Sequence, residues 1–65
     1  MKIGDYVETP RFLKVRIEKV FDSRNEARQE GYTEPTHYDK GDYEISGKHT
    51  GINTMKFAAI KKELH

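Results

Sequence analysis

Phe12-Leu13-Lys14-Val15-Arg16-Ile17-Glu18-Lys19-Val20-Phe21 is the stretch that decides the fold. Leu13, Val15 and Ile17 alternate with Lys14, Arg16 and Glu18, the two-residue period of a strand with one face buried and the other solvated. Wound as a helix, the same residues would scatter their apolar side chains around the cylinder. Upstream, Ile3 to Glu8 reads as a shorter strand. Thr9-Pro10-Arg11 bends the chain between the two, because Pro10 has no amide donor and biases Thr9 towards extended geometry. Downstream, Gly41 to Lys48 alternates again, with Tyr43 and Ile45 against Asp42, Glu44 and Ser46. Thr54 to Lys61 sets Met55, Phe57 and Ala59 against Lys56, Ala58 and Ile60. A glycine-bearing loop over 47–53 joins these two as a hairpin. Residues 56–62 also fit a helix, since Phe57, Ile60 and Lys61 keep i,i+3/4 spacing.

Between the two pairs of strands lies Asp22-Ser23-Arg24-Asn25-Glu26-Ala27-Arg28-Gln29-Glu30-Gly31. Ser23 and Glu26 have the spacing of a capping box, and Gly31 is placed to end a short helix in a left-handed turn. Arg24/Arg28 and Glu26/Glu30 are like-charged i,i+4 pairs, each costing about 0.2–0.5 kcal/mol. Ala27 is the one apolar side chain available to anchor the helix, so what it packs on must hold it. Tyr32 to Lys40 has no period, a central Pro35 and turn-forming residues, and is expected to be an ordered surface loop. The expected fold is therefore α+β: a single domain built on a small, mostly antiparallel sheet in β-β-α-β-β order with one short helix. Gly-Asp-Tyr occurs at 4–6 and at 41–43, but the flanks do not match, and both read as strand starts.

The chain has 65 residues, 34% hydrophobic and 35% charged. So short a chain has little core to spare, and most of its Val, Ile, Phe and Leu must face inward. It has no cysteine, which removes disulfides, thiol nucleophiles and Cys-ligated metals. No apolar run approaches a membrane span, and no apolar segment follows Met1 as a secretory signal would; a cytoplasmic protein without membrane contact is expected. The net charge of +1 supplies no global field towards nucleic acid.

Candidate chemistry is sparse. Gly47-Lys48-His49-Thr50 fails as a phosphate loop, because the first glycine would fall at Asp42 and His49 stands where Ser or Thr belongs. His37, His49 and His65 with Glu34 and Asp39 lack metal-ligand spacing. Ser23 reads as a cap and Ser46 as mid-strand, and nothing near His37 supplies an oxyanion hole. No enzyme, cofactor or metal is expected.

Two binding surfaces remain. The segment 31–38 concentrates two tyrosines, a proline and a histidine. It reads either as a rigid recognition surface or as cover for one end of a thin core. With the neighbouring turn it yields a partner-binding set of Arg11, Phe12, Tyr32, Glu34, Pro35, His37 and Tyr38, directed at a protein partner. The alternative is weak nucleic-acid binding through Lys14, Arg16 and Lys56, with Tyr6, Phe12, Tyr32 and Tyr38 as stacking faces. Glu18, Asp42 and Glu44 would cancel part of that charge. Exposed sheet edges imply a monomer or a weak edge-paired homodimer.

Three stretches carry a family likeness: Gly4-Asp5-Tyr6-Val7-Glu8-Thr9-Pro10-Arg11-Phe12, Gly31-Tyr32-Thr33-Glu34-Pro35-Thr36-His37-Tyr38, and Tyr43-Glu44-Ile45-Ser46-Gly47-Lys48 running to Asn53-Thr54-Met55-Lys56-Phe57-Ala58-Ala59-Ile60. Together they resemble small uncharacterised proteins, and modules of larger polyvalent proteins, encoded on bacterial conjugative transposons and related mobile elements. The resemblance implies a setting, the bacterial cytoplasm and the maintenance or transfer of such an element, and carries no activity, cofactor or catalytic residue. Gly4-Asp5-Tyr6-Val7 also resembles the first strand of SH3-like barrels, which implies an open barrel as the alternative fold.

Overall fold

The structure is a computed structural model that describes residues 1–62, with residues 34–37 described by their backbone alone. It comprises β1 (Tyr6–Thr9), β2 (Leu13–Phe21), α1 (Arg24–Gln29), β3 (Glu34–Lys40), β4 (Tyr43–His49) and β5 (Met55–Lys61). The strands form one sheet in the order β1-β2-β5-β4-β3. Three of its four pairings are antiparallel, and β2 with β5 is parallel. A mostly antiparallel sheet with one short helix is thus the architecture. The β4–β5 loop is shorter than the sequence indicates, because Gly47 and Lys48 lie inside β4. Residues 56–61 are strand.

One strand is added to the expectation. The segment read as a surface loop is β3, paired antiparallel with β4 at the end of the sheet. Its ladder is irregular between Glu34 and Tyr38, and Pro35 falls inside that interval. A proline costs no ladder bond where the ladder already skips and the strand is an edge.

The centre of the sheet is built by β5. Phe57, Ala58, Ala59 and Ile60 are four consecutive buried residues, so both faces of this strand are covered. Phe57 and Ala59 join Val15, Ile17 and Ile45 in one cluster, while Ala58 and Ile60 join Phe21, Ala27 and Tyr32 in the other. The first cluster is covered without a helix. Met1, Val7, Phe12, Tyr38, Tyr43 and Met55 lean onto it from the strands and turns around it.

A bulge in β2 serves both clusters. Ile17 stands opposite Phe57, but the next partner of Ala58 is Lys19, so Glu18 is the extra residue. Side chains alternate faces, and one inserted residue reverses the parity of everything after it. Val20 therefore stays on the Ile17 face beside Ala59, and Phe21 turns to the opposite face beside Ile60. That second face is the one α1 covers.

The helix is held as its sequence requires. Ser23 is the N-cap, with φ −148° and ψ 155°, and its hydroxyl accepts the Glu26 N–H at 3.2 Å. The Glu26 carboxylate in turn accepts the Asp22 N–H at 3.2 Å. At the other end Gly31 has φ +89°. Its N–H donates to Arg28 O at 3.0 Å, and the Tyr32 N–H donates to Ala27 O at 3.0 Å, the paired bonds of a Schellman ending. The like-charged ridges are relieved across the interface: Arg24 forks onto the Glu44 carboxylate of β4, and Glu30 accepts from Lys19 of β2. No helix among the described residues is long and apolar enough to cross a membrane.

Gly31→Ala tests this ending. An L-residue in the left-handed region costs about 1–2 kcal/mol, and the added Cβ meets the Lys48 side chain only at ordinary contact distance, 3.5 Å. The melting temperature should fall by roughly 4–8 °C per kcal/mol for a domain this small, read by circular dichroism. An unchanged melt would mean that the Schellman turn does not form.

Candidate functional site

The four residues of the expected partner-binding set whose side chains are described, Arg11, Phe12, Tyr32 and Tyr38, do not share a surface. Arg11 and Phe12 sit on the β1–β2 turn. Tyr32, expected on an exposed recognition loop, is 4% exposed. The Schellman bond folds it back onto Ala27, and its ring packs 5.4 Å from that of Phe21. Tyr38 is half-buried on the opposite cluster. The side chains of Glu34, Pro35 and His37 lie outside the described residues, as does His65. The core-cover reading of the segment thus holds for Tyr32.

The turn half of the set lies beside a cleft. Thr9, buried, closes the β1–β2 turn: its hydroxyl oxygen accepts the Phe12 N–H at 3.0 Å, and the hydroxyl donates to Leu13 O at 3.2 Å. Phe12 is thereby directed onto Phe57, with ring centroids 5.3 Å apart, and the Arg11 guanidinium lies 5.3 Å over the Phe12 ring. Because β5 runs parallel to β2, the β4–β5 loop is brought to the same end. Between turn and loop opens a cleft of about 380 Å³ lined by Phe12, Val15, Ile52, Met55 and Phe57, with His49 and Asn53. Ile52 is 97% exposed at its rim. Leu13, the residue after Phe12, is 77% exposed and has φ +60°. A branched side chain pays about 1–2 kcal/mol for that backbone conformation, and here it gains almost no burial in return. Ile52 and Leu13 are the residues that sequence reasoning missed. Leu13 reads as one more inward position of the β2 alternation, and Ile52 as ordinary loop.

The alternative set is brought together. Lys14, Arg16 and Lys56 precede or interleave with Val15, Ile17 and Phe57 on their strands, so they occupy the opposite face, at the end that α1 leaves open. All three are exposed.

Catalytic material is thin among the described residues. Ser23 is occupied as a cap, and Ser46 is fully buried. No group of three His, Asp or Glu could hold a metal among the described residues. Lys19 is raised above its ordinary value, chiefly by its hydrogen bond to Glu30, which makes its amine a poorer nucleophile. Tyr32 is also raised, chiefly by burial. Compared with family models, with curated proteins and with solved structures, the chain matches none.

The two raised groups set a pH dependence. A folded-state value above the unfolded one means that the native protein holds the proton more tightly, so the associated stability is complete below the unfolded value and is lost as pH rises past it. Those ordinary values are 10.0 for Tyr32 and 10.5 for Lys19. The melting temperature should therefore decline above about pH 10. Tyr32→Phe, which keeps the ring on Phe21, should leave the neutral-pH melt nearly unchanged and flatten that decline. A decline identical in the variant would show that Tyr32 does not titrate in the linked range.

Proposed function

We propose that the chain is a non-enzymatic interaction module that holds a protein partner at the end of the sheet formed by Phe12, Leu13, Ile52 and Met55. One observation carries this reading: Leu13 is exposed on a strained backbone beside an open apolar cleft. In a chain with so few apolar residues, strain retained for an exposed leucine is better explained by an external contact than by the fold. The partner supplies a large apolar side chain for the cleft, set in a segment with acidic groups to meet Arg11. Arg11 and Phe12 remain from the set read in the sequence, and Tyr32 serves the core.

The resemblance to proteins of conjugative transposons supplies the setting: a bacterial mobile element, in the cytoplasm, with an accessory role in its maintenance or transfer. The curl that covers the Ile17 cluster without a helix supports an open, SH3-like barrel as the finer description of the fold.

Leu13→Asn separates strain from function. Asparagine tolerates the left-handed region, so the variant should melt several degrees higher, at roughly 4–8 °C per kcal/mol relieved. Cross-linking and pull-down from bacteria carrying the element should lose the same partner with Leu13→Asn and with Ile52→Asn, both folded by circular dichroism. A partner retained by both variants would place the contact elsewhere.

A further inference from the structure

The register of the sheet aligns four side chains across four strands. Tyr6 on β1 stands opposite Arg16 on β2. Ile17 is level with Phe57, so Arg16 and Lys56 are level one residue earlier, on the reverse face. Lys56 on β5 stands opposite Lys48 on β4. The row Tyr6–Arg16–Lys56–Lys48 thus crosses the sheet on the helix-bearing face, over the part of it that α1 leaves uncovered, with Lys14 two residues from Arg16 along β2. Adjacent strands lie about 4.8 Å apart, so its three cations fall within roughly 10 Å of one another.

The fold requires polar residues on this part of the face but not a row of one sign. Two lysines directly opposite each other in a ladder repel. Four of the eight other Lys and Arg residues are tied in ion pairs among the described residues: Lys19 to Glu30, Arg24 to Glu44, Lys61 to Asp22 and Lys62 to Asp39. Arg16 leans on Glu18 at 3.2 Å, and the Lys48 amine lies 5.8 Å over the Tyr32 ring. Lys14 and Lys56 have no anionic partner within ion-pair distance among the described residues. Among the described residues, Glu8, opposite Lys14 in the register, and Glu18 are the acidic groups of this area, and four cations outnumber them. At the end of the row Tyr6 is 66% exposed, an aromatic face in line with the charges.

We infer that this row is a binding track for single-stranded nucleic acid, with Lys14, Arg16, Lys48 and Lys56 on phosphates and Tyr6 stacked on an unpaired base. The surface is an open sheet face with one stacking ring, which suits a strand whose bases are free. Duplex readout needs a helix or ribbon that enters a groove, and α1, six residues long, is packed on the sheet through Ala27. The track lies on the opposite face from the Phe12–Ile52 cleft, so the two surfaces are separable.

The test is fluorescence anisotropy of the full chain with labelled oligo(dT) and oligo(rU) at 50 mM KCl, alongside a duplex of equal length and heparin. Contact of the four cations with about four phosphates predicts a log–log salt slope near −3, a loss of about 50-fold between 50 and 200 mM. Lys14→Gln combined with Lys56→Gln should weaken binding by about tenfold or more, while the melting temperature holds or rises as the Lys48–Lys56 repulsion is removed. Tyr6→Ala should weaken it about fivefold or more, and Tyr6→Phe should restore it. Lys61→Gln and Leu13→Asn should leave it unchanged, so failure of the cleft reading would not be mistaken for failure of this one. Absence of binding at 50 mM KCl would overturn the inference. So would duplex bound as tightly as single strand, or heparin bound equally well with no effect of Tyr6→Ala.

Discussion

The pairing of β5 with β2 is the constraint on which the rest depends. It is the long-range, parallel contact of the sheet, joining two strands that the helix, β3 and β4 separate in the chain. Placing Met55–Lys61 there covers both faces of one strand, and the composition of that strand makes this possible. Phe57 supplies bulk on one side, and Ala58 lets a helix carrying Ala27 approach on the other; both alanines are fully buried. A larger residue at either position would force the helix from the sheet, and overpacking of that kind typically costs about 1–3 kcal/mol. For a chain of this size that is a large part of its stability.

The Glu18 bulge is the second half of the same constraint. Without it, Phe21 would fall on the Ile17 face and Val20 would face the helix. The helix would then lose the ring on which Tyr32 packs. The bulge also separates β2 functionally: its first half projects Lys14 and Arg16 to solvent, and its second half projects Lys19 to Glu30 of the helix. One strand therefore contributes cations to two different environments.

Much of this was legible because the signals were local. Alternation in β2, β4 and β5, the Ser23/Glu26 cap and the Gly31 stop are each properties of fewer than ten consecutive residues. The three strands, the cap and the stop are all present, although Leu13 is exposed and Ser46, Ala58 and Ile60, set opposite the apolar side in the alternation, are buried. Two features were not. The strand β3 carries Pro35 and no period because it is an edge with an interrupted ladder, so the usual two-residue signature has nothing to enforce it. The bulge leaves a trace, since apolar spacing lengthens from two to three between Ile17 and Val20. The two charged residues in the gap, Glu18 and Lys19, hide it. The burial of Tyr32 was open in the sequence, because it depends on the backbone bond to Ala27 O that Gly31 permits.

The surfaces follow from the same geometry, and so does their difference in character. Parallel β2 and β5 start at one end, and their first residues are Leu13 and Met55. That end gathers the β1–β2 turn and the β4–β5 loop, where neither strand has yet entered the doubly covered region. On the Ile17 face its side chains are apolar but incompletely roofed, which produces the cleft. On the reverse face the helix is too short to reach, and the positions that would have been core are lysine and arginine. A six-residue helix can shield only part of a sheet whose longest strand has nine residues. The uncovered remainder must be polar in any stable version of this fold. Polarity alone, however, would be met by alternating signs, which attract across a ladder. Like charges at Lys48 and Lys56 work against the sheet they sit on, and that sign pattern sets this face apart from an ordinary solvated one.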